Sequence, residues 1–225
     1  MGHEKVNAGI LDNQNTLGEK QIMSALVPLE NTVFDLCNFN GGFYVDCGAN
    51  DGVTQSNTYR LEKERGWGGI LIDASSAAIE KCKKNRDNET NAIICAALSS
   101  PENNSVEGDF DGDLRGSVGV KYNRGAPITL VRCITLTSIL KHYDVHEVDL
   151  WSLDVEGHEL EALRGLDFSY CSPTMLVIEI NGDINPIMTF MKDKGYDSGE
   201  NVSGFTKENN PMWNGTHNDY LFRKL

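Results

Sequence analysis

The sequence predicts an α/β fold, a mostly parallel sheet covered by helices on both faces. Three observations lead there. Short apolar runs alternate with stretches of helical periodicity from Phe43 to the C-terminus. The connections between them are short, as in sheets whose parallel strands are joined by crossover helices. The first apolar run ends in a glycine turn, Gly48 to Gly52, where an open α/β sheet places a ligand.

Taken in order, residues 16–40 read as helix, because Ile22, Met23, Leu26, Leu29, Val33 and Leu36 recur at helical spacing. Pro28 marks a kink or boundary in it, and Gly41-Gly42 ends it. This divides the chain into a helical prefix, 1–40, and a main domain, 41–225. Phe43 to Cys47 is a buried strand, and a helix follows over about 56–65. Gly69 to Ile72 is a strand, 75–86 a helix, and Ala92 to Leu98 a strand. Thr135 to Tyr143 is a helix capped by Thr135 or Thr137. Val148 to Leu153 is a strand, 156–166 a helix, Met175 to Ile180 a strand, 184–194 a helix, and Tyr220 to Leu225 a last strand. Residues 100–127 are rich in Asn, Asp, Gly and Ser and interrupt the alternation. They read as a long excursion, a hairpin in form, of the kind that carries function in α/β enzymes.

At 225 residues the chain suits one main core. Thirty-three acidic residues against 20 Lys and Arg leave a net charge of −13, which argues against a nucleic-acid partner and against an anionic membrane surface. No apolar run approaches the ~20 residues needed to span a bilayer. The six cysteines form no CxxC pair and lie mostly in apolar runs, the usage of buried thiols in a reducing compartment. Met1 to Asn7 lack a signal-peptide core, so the expected location is cytoplasmic. The Asn-x-Ser/Thr sequons at Asn88, Asn103, Asn201 and Asn214 are then chance matches.

The turn after the first strand reads Asp46-Cys47-Gly48-Ala49-Asn50-Asp51-Gly52. Its glycines are spaced G-x-x-x-G, whereas a pyrophosphate-binding turn needs G-x-G-x-x-G leading into a helix N-terminus. Asp46 and Asp51 would also repel a pyrophosphate. A phosphate-free cofactor carrying a cationic sulfonium tolerates them. Asp73 ends the second strand, where a carboxylate can accept hydrogen bonds from both hydroxyls of a ribose. Ala74, Ser75, Ala97 and Leu98 stand at the neighbouring strand ends and join Asp46, Gly48, Ala49, Asn50, Gly52, Asp73 and Asp154 as candidate cofactor contacts.

Residues 148–165 read DLWSLDVEGHELEALRG from Asp149 onward. With FYVDCGANDG, ILIDAS, AALSS, LTSIL, VIEIN and the terminal DYLF, in that order, the chain resembles the FkbM-type methyltransferases from about Gly42 to its end. The resemblance implies a Rossmann-like class I methyltransferase fold. Its sheet is seven-stranded and mostly parallel, with an antiparallel C-terminal strand. It also implies S-adenosylmethionine as methyl donor and, often, a hydroxyl acceptor. Two positions depart from the family pattern: Ser152 stands where a Lys is usual, and Asp73-Ala74-Ser75 replaces Glu-Pro-Asn.

Methyl transfer to a neutral alcohol needs its proton removed, by a base or with the help of a metal. Asp154, Glu156 and His158 surround the turn after the fourth strand and are the candidate catalytic residues. A place in the first helical turn would keep His158 neutral and able to accept a proton, with Asp154 its orienting partner or the base itself. Asp154, Glu179 and Asn181 end adjacent strands and are candidate ligands for Mg²⁺ or Mn²⁺. Trp213, His217 and Asn181 are candidate acceptor contacts, Trp213 by stacking on a sugar ring. A sugar or glycan is the expected acceptor, and a polyketide or other small molecule the alternative. An NAD-dependent dehydrogenase shares the sheet and the ribose acid but lacks its fingerprint here. A non-catalytic binding module on the same fold is the third reading.

Overall fold

The structure is a computed structural model and describes residues 27–104, 107–110, 129–208, 213, 215 and 217–225. Its helices are α1 (Val27–Leu36), α2 (Tyr59–Arg65), α3 (Ser76–Asn85), α4 (Leu136–His142), α5 (Glu159–Arg164) and α6 (Asn185–Asp193), with a 3₁₀ turn at Pro101–Asn103. Its strands are β1 (Phe43–Cys47), β2 (Gly68–Asp73), β3 (Asn91–Cys95), β4 (Ala97–Leu98), β5 (Glu107–Phe110), β6 (Thr129–Ile134), β7 (Leu150–Leu153), β8 (Met175–Asn181), β9 (Glu200–Asn201) and β10 (His217–Arg223). Seven of them form one sheet in the order β3-β2-β1-β7-β8-β10-β9. β3, β2, β1, β7 and β8 are mutually parallel, and β10 is antiparallel to both its neighbours. The chain travels outward from β1 to β3, then returns to β7 on the other side of β1. The crevice outside the carboxyl ends of β1 and β7 is therefore the topological switch point.

Strand alternation divides the core into two faces. Val45, Ile70, Trp151, Leu176 and Ile178 pack on one face with Ile139 of α4, Leu163 of α5 and Met191 of α6. Tyr44, Leu71, Leu150, Val177 and Leu221 pack on the other with Leu29 and Val33 of α1, Leu61 of α2 and Cys82 of α3. Five of the six cysteines are buried, all six are free, and Cys95 alone is exposed. Among the described residues no helix is long and apolar enough to cross a membrane.

The expected strand 92–98 is two strands. Ala96 N–H bonds the Asp73 carbonyl and ends the pairing with β2. Ala97 and Leu98 then turn away to pair with Cys133 and Ile134 of β6 in a second, three-stranded sheet, β4-β6-β5. The excursion does contain a hairpin arm, β5, antiparallel to β6; residues 105–106 and 111–128 lie outside the described residues. The expected helix 156–166 is shorter, because Glu156 (φ 53°) and Gly157 (φ 97°) are left-handed and cannot be helical. The prefix helix ends at Leu36, and its expected part before residue 27 lies outside the described residues. Of the two candidates Thr135 is the cap of α4, accepting from Ser138 N–H, and Ser75, expected inside α3, caps it by accepting from Ala78 N–H. β6 and β9 were not expected from the sequence, the latter being two residues long.

Candidate active site

Three strand ends meet at the switch point. Gly48 and Ala49 donate their N–H groups to the Ile72 carbonyl at 2.9 and 3.1 Å, which ties the turn to β2. Asp154 N–H donates to the Cys47 carbonyl at 3.0 Å, which ties it to β7. Asp73 completes the frame, since its two carboxylate oxygens accept from Asn50 N–H at 2.8 Å and Ser75 N–H at 2.7 Å. Each oxygen keeps a second lone-pair direction for a ligand hydroxyl. Burial pushes the Asp73 carboxyl above the usual aspartate range.

A polar layer behind the turn sets its shape. Arg86 is fully buried. Its guanidinium donates to the Gly52 carbonyl at 2.6 Å, to Tyr44 Oη at 2.7 Å and to Glu62 Oε2 at 2.5 Å. Asp46 accepts from Thr58 Oγ1 at 2.6 Å and Ser56 Oγ at 3.1 Å. Asp46, Ala49 and Gly52, expected among the cofactor contacts, belong to this supporting layer and do not line the cleft. The α-carbon of Gly52 faces Arg86 and Cys82, and Ala49 packs in the core. Arg86 carried no motif, and only its spacing in an otherwise exposed, Lys-rich stretch could have hinted at burial.

In front of the turn lies a cleft of about 300 Å³. Gly48, Asn50, Asp73, Ala74 and Ser75 line one side of it, with Ala97 and Leu98 beside them. Asp154, Glu156 and His158 line the other. Lys81 of α3 is its only lining Lys or Arg among the described residues, a contact the sequence did not suggest.

The turn leaving β7 is held by Glu159, which sequence reasoning passed over. Its carboxylate accepts from Gly157 N–H at 2.8 Å and Val155 N–H at 3.3 Å. His158 stands at the cap of α5 rather than inside its first turn. Its Nε2 lies 3.3 Å from Ser99 Oγ, so the ring faces the strand pair β4-β6. Burial holds the imidazole below its ordinary value, and it is neutral at neutral pH.

The acids run away from His158, along the α1–α3 face. Asp154 opens to the cleft while protein surrounds its other sides, and Glu179 follows the Leu153–Ile178 pair as its neighbour at the end of β8. Glu179 is opposite Asp219 in the β8–β10 register. Burial and the neighbouring Glu179 push Asp154 far above the usual range. Burial also pushes Glu179 up to about 7. Asp219 is pushed up to about 7, by burial and then by Asp154. His217 Nε2 is 4.0 Å from Glu179 Oε1, and the indole N–H of Trp213 donates to the His217 carbonyl at 2.7 Å. His217 pairs with Asn181 across the strands. Trp213, His217 and Asn181 thus sit together beside Glu179, outside the cleft lining. Among the described residues no group of three or more His, Cys, Asp or Glu side chains is arranged to hold a metal ion.

The fold recurs in solved methyltransferases. A methyltransferase FkbM from Methylobacillus flagellatus superposes with a TM-score of 0.57 at 15% identity, over 87% of this chain and 48% of that one. Magnesium protoporphyrin IX methyltransferase of Synechocystis, solved with bound SAM, gives 0.50 at 10% identity over 89% and 78%. TrmK of M. capricolum, in complex with S-adenosyl-homocysteine, gives 0.50 at 10% over 87% and 67%. The chain thus spans about half the length of the FkbM structure it matches. No curated protein sequence matches it. The family model described as "Methyltransferase FkbM domain" matches residues 46–198, from the end of β1 past α6. The matched segment is shorter than the resemblance to the C-terminus expected from the sequence, and it leaves Trp213, His217 and Asp219 outside. It contains the turn, the Asp73 strand end and the Asp154 strand end. Covering more than half of the sequence, it shows that the chain belongs to the FkbM methyltransferase domain family.

Proposed function

We propose that this domain transfers a methyl group from S-adenosylmethionine to a hydroxyl of a sugar or glycan. The observation that carries the reading is Asp154, which lines the cleft at the switch point together with Gly48 and Asp73. The cleft suits the cofactor: Asp73 has lone pairs to spare for ribose hydroxyls, and Gly48 brings backbone, not side chain, to the ligand. The Synechocystis and M. capricolum structures hold S-adenosylmethionine and its demethylated product. The bound cofactor supplies an electrophilic methyl on a positively charged sulfur.

The chain's residues have two tasks. Holding the acceptor oxygen in line with the methyl contributes up to roughly 7–11 kcal/mol. Taking the hydroxyl proton adds about 10²- to 10⁴-fold. We assign the proton to Asp154, because the His158 Nε2 is engaged with Ser99 Oγ. Glu156 lines the cleft beside it and adds negative charge. Asn181, Trp213 and His217 flank Glu179 and supply the polar and aromatic surface a polyhydroxylated acceptor uses. The net charge of −13 favours such a neutral acceptor over a polyanion. Incubation with S-adenosylmethionine and a panel of neutral glycosides, followed by mass spectrometry, tests this. A methyl ether on a sugar is the expected product. Methylation of nitrogen only, or of a polyketide hydroxyl in preference to any sugar, would replace the acceptor class. Activity lost to EDTA and restored by Mg²⁺ or Mn²⁺ would bring in a metal at Asp154 and Glu179.

A further inference from the structure

The sheet beside Asp154 is rich in hydrogen-bond acceptors and short of donors. Asp154 and Glu179 follow the Leu153–Ile178 pair on neighbouring strands, one strand spacing of about 5 Å apart. Asp219 is directly opposite Glu179 on β10. Alternation with Val177 and Leu221 puts Glu179 and Asp219 on the same face of the sheet, the one covered by α1–α3. Like charges directly opposite on adjacent strands repel, and a buried carboxylate needs a donor or a counter-ion. Among the described residues no Lys or Arg forms an ion pair with Asp154, Glu179 or Asp219, and His217 Nε2 stands 4.0 Å from Glu179 Oε1. Asp219 is 6% exposed, its own N–H donates to Ser203 Oγ, and no described residue donates to its carboxyl. An independent shortfall lies lower on this face. Asn57 Nδ2 donates to Ser152 Oγ at 3.1 Å, two residues before Asp154, while Asn57 Oδ1 is buried with no partner. With the amide turned round the orphan would be the nitrogen, so either way one buried polar atom of Asn57 is unsatisfied. Asn57, Glu179 and Asp219 do not line the cofactor cleft, so their missing partner is not the cofactor.

We infer that the acceptor carries a protonated amine near the hydroxyl that is methylated, and that Glu179 and Asp219 bind this ammonium while Asp154 faces the hydroxyl. This rests on the sugar-hydroxyl reading above and narrows it to an amino sugar. An ammonium brings three N–H donors and a positive charge, whereas a neutral sugar brings donors alone. The single strand spacing between Asp154 and Glu179 lets the amine and the reacting hydroxyl belong to one sugar ring. Phe205 lies 5.5 Å from the His217 ring, and the Trp213 indole donates to the His217 carbonyl, so aromatic surface, which favours a cation, flanks the acids. The described acids are not gathered to hold a metal ion, which leaves an organic cation as the partner that fits them. In the transfer the bond from sulfur to methyl breaks, the bond from oxygen to methyl forms, and the hydroxyl proton goes to Asp154. The ammonium is unchanged by the step. While it stays protonated its nitrogen has no lone pair to attack the methyl, so binding it between carboxylates also directs the methyl to oxygen.

The test supplies S-adenosylmethionine with matched sets of glycosides: amino sugars with the amine at each ring position, their N-acetyl derivatives and the parent neutral sugars, at about pH 7, where the amine is protonated. Mass spectrometry and NMR locate the methyl group. The best amino sugar should be methylated on oxygen with a kcat/KM about tenfold or more above its N-acetyl and neutral counterparts, the scale of a buried charge pair. Asp219→Asn should erase that preference by raising KM for the amino sugar, while the Kd of S-adenosylhomocysteine, which reports an intact fold and cleft, stays as it was. Glu179→Gln should erase the preference too. Neutral sugars methylated as well as amino sugars by the unaltered protein would overturn the inference and leave the sugar-hydroxyl reading intact, and so would a preference that survives both variants. Activity lost to EDTA and restored by Mg²⁺ would hand the carboxylates to a metal and overturn it as well. Methylation on nitrogen, or of no glycoside in the sets, overturns both readings.

Discussion

The carbonyl oxygen of Asp154 lies 1.7 Å from the point where a Cβ on Gly48 would stand. The turn after β1 and the end of β7 are thus in contact through backbone alone, with Gly48 at φ 80°. The sequence suggests that a side chain on Gly48 would meet the methionyl part of the cofactor and spare the fold. The geometry reverses that expectation: it would first meet β7.

Gly48→Ala should therefore lower thermal stability as well as abolish cofactor binding. Gly157 provides the control, since it is also left-handed but has nothing within 4 Å of its would-be Cβ. Gly157→Ala should cost about 1 kcal/mol, the scale of forcing a left-handed conformation on alanine, and Gly48→Ala clearly more. Equal melting temperatures for the two variants would disprove the contact argument.

Arg86→Met removes a buried cation whose partners Glu62 and Gly52 stay in place. Breaking such a pair typically costs about 3–5 kcal/mol, and the lower end is expected here because Lys63 Nζ stays 2.7 Å from Glu62 Oε1. Denaturant melts check this. Since Arg86 also holds the Gly52 carbonyl, affinity for S-adenosylhomocysteine should fall in whatever fraction remains folded.

Stability should depend on pH through the acid trio. The Asp219 carboxyl has a folded value near 7 against an ordinary aspartate value near 3.8. A raised carboxyl favours folding fully below its unfolded value and loses that contribution as pH rises through the folded one. Without cofactor, the melting temperature should decline between about pH 4 and pH 7 on this account. Asp219→Asn, which stays neutral, should flatten part of the decline. A decline of the same size in this variant would remove Asp219 from the cause.

The sheet was legible in the sequence because each strand lies between short loops and pairs with a crossover helix. Asp73 and Gly48 were legible because strand-end acids and turn glycines leave local signatures. The supporting layer was not. Arg86 is in hydrogen-bond reach of Tyr44, Gly52, Ser56, Thr58 and Glu62, which only the folded chain assembles. The split of the 92–98 run was hidden for a related reason: Ala96 is apolar on either side of the break, and the pairing partner of Ala97 is 36 residues away. Asp154 and Glu179 were legible as strand ends, but their proximity depends on the pairing of β7 with β8, which no local pattern encodes.

The last prediction separates Asp154 from His158. Both were catalytic candidates from their place in DVEGHE, and both line the cleft. They differ in what they face. His158 Nε2 is engaged with Ser99 at 3.3 Å, whereas Asp154 ends β7 next to the Glu179 end of β8. Asp154→Asn should therefore cut turnover by about 10²-fold or more, the scale of losing a positioned base. His158→Ala should cost much less and act mainly on Kd for the cofactor. The pH profile of kcat supplies the readout that a merely structural role would not move. Its ascending limb should belong to Asp154, so it should survive in His158→Ala and shift to lower pH in Glu179→Gln, where Asp154 loses a neighbouring negative charge. Loss of the limb in His158→Ala, with Glu179→Gln unchanged, would return the base to the imidazole. In that case the Ser99 contact would have to open when the acceptor binds, and Ser99→Ala would be expected to raise turnover.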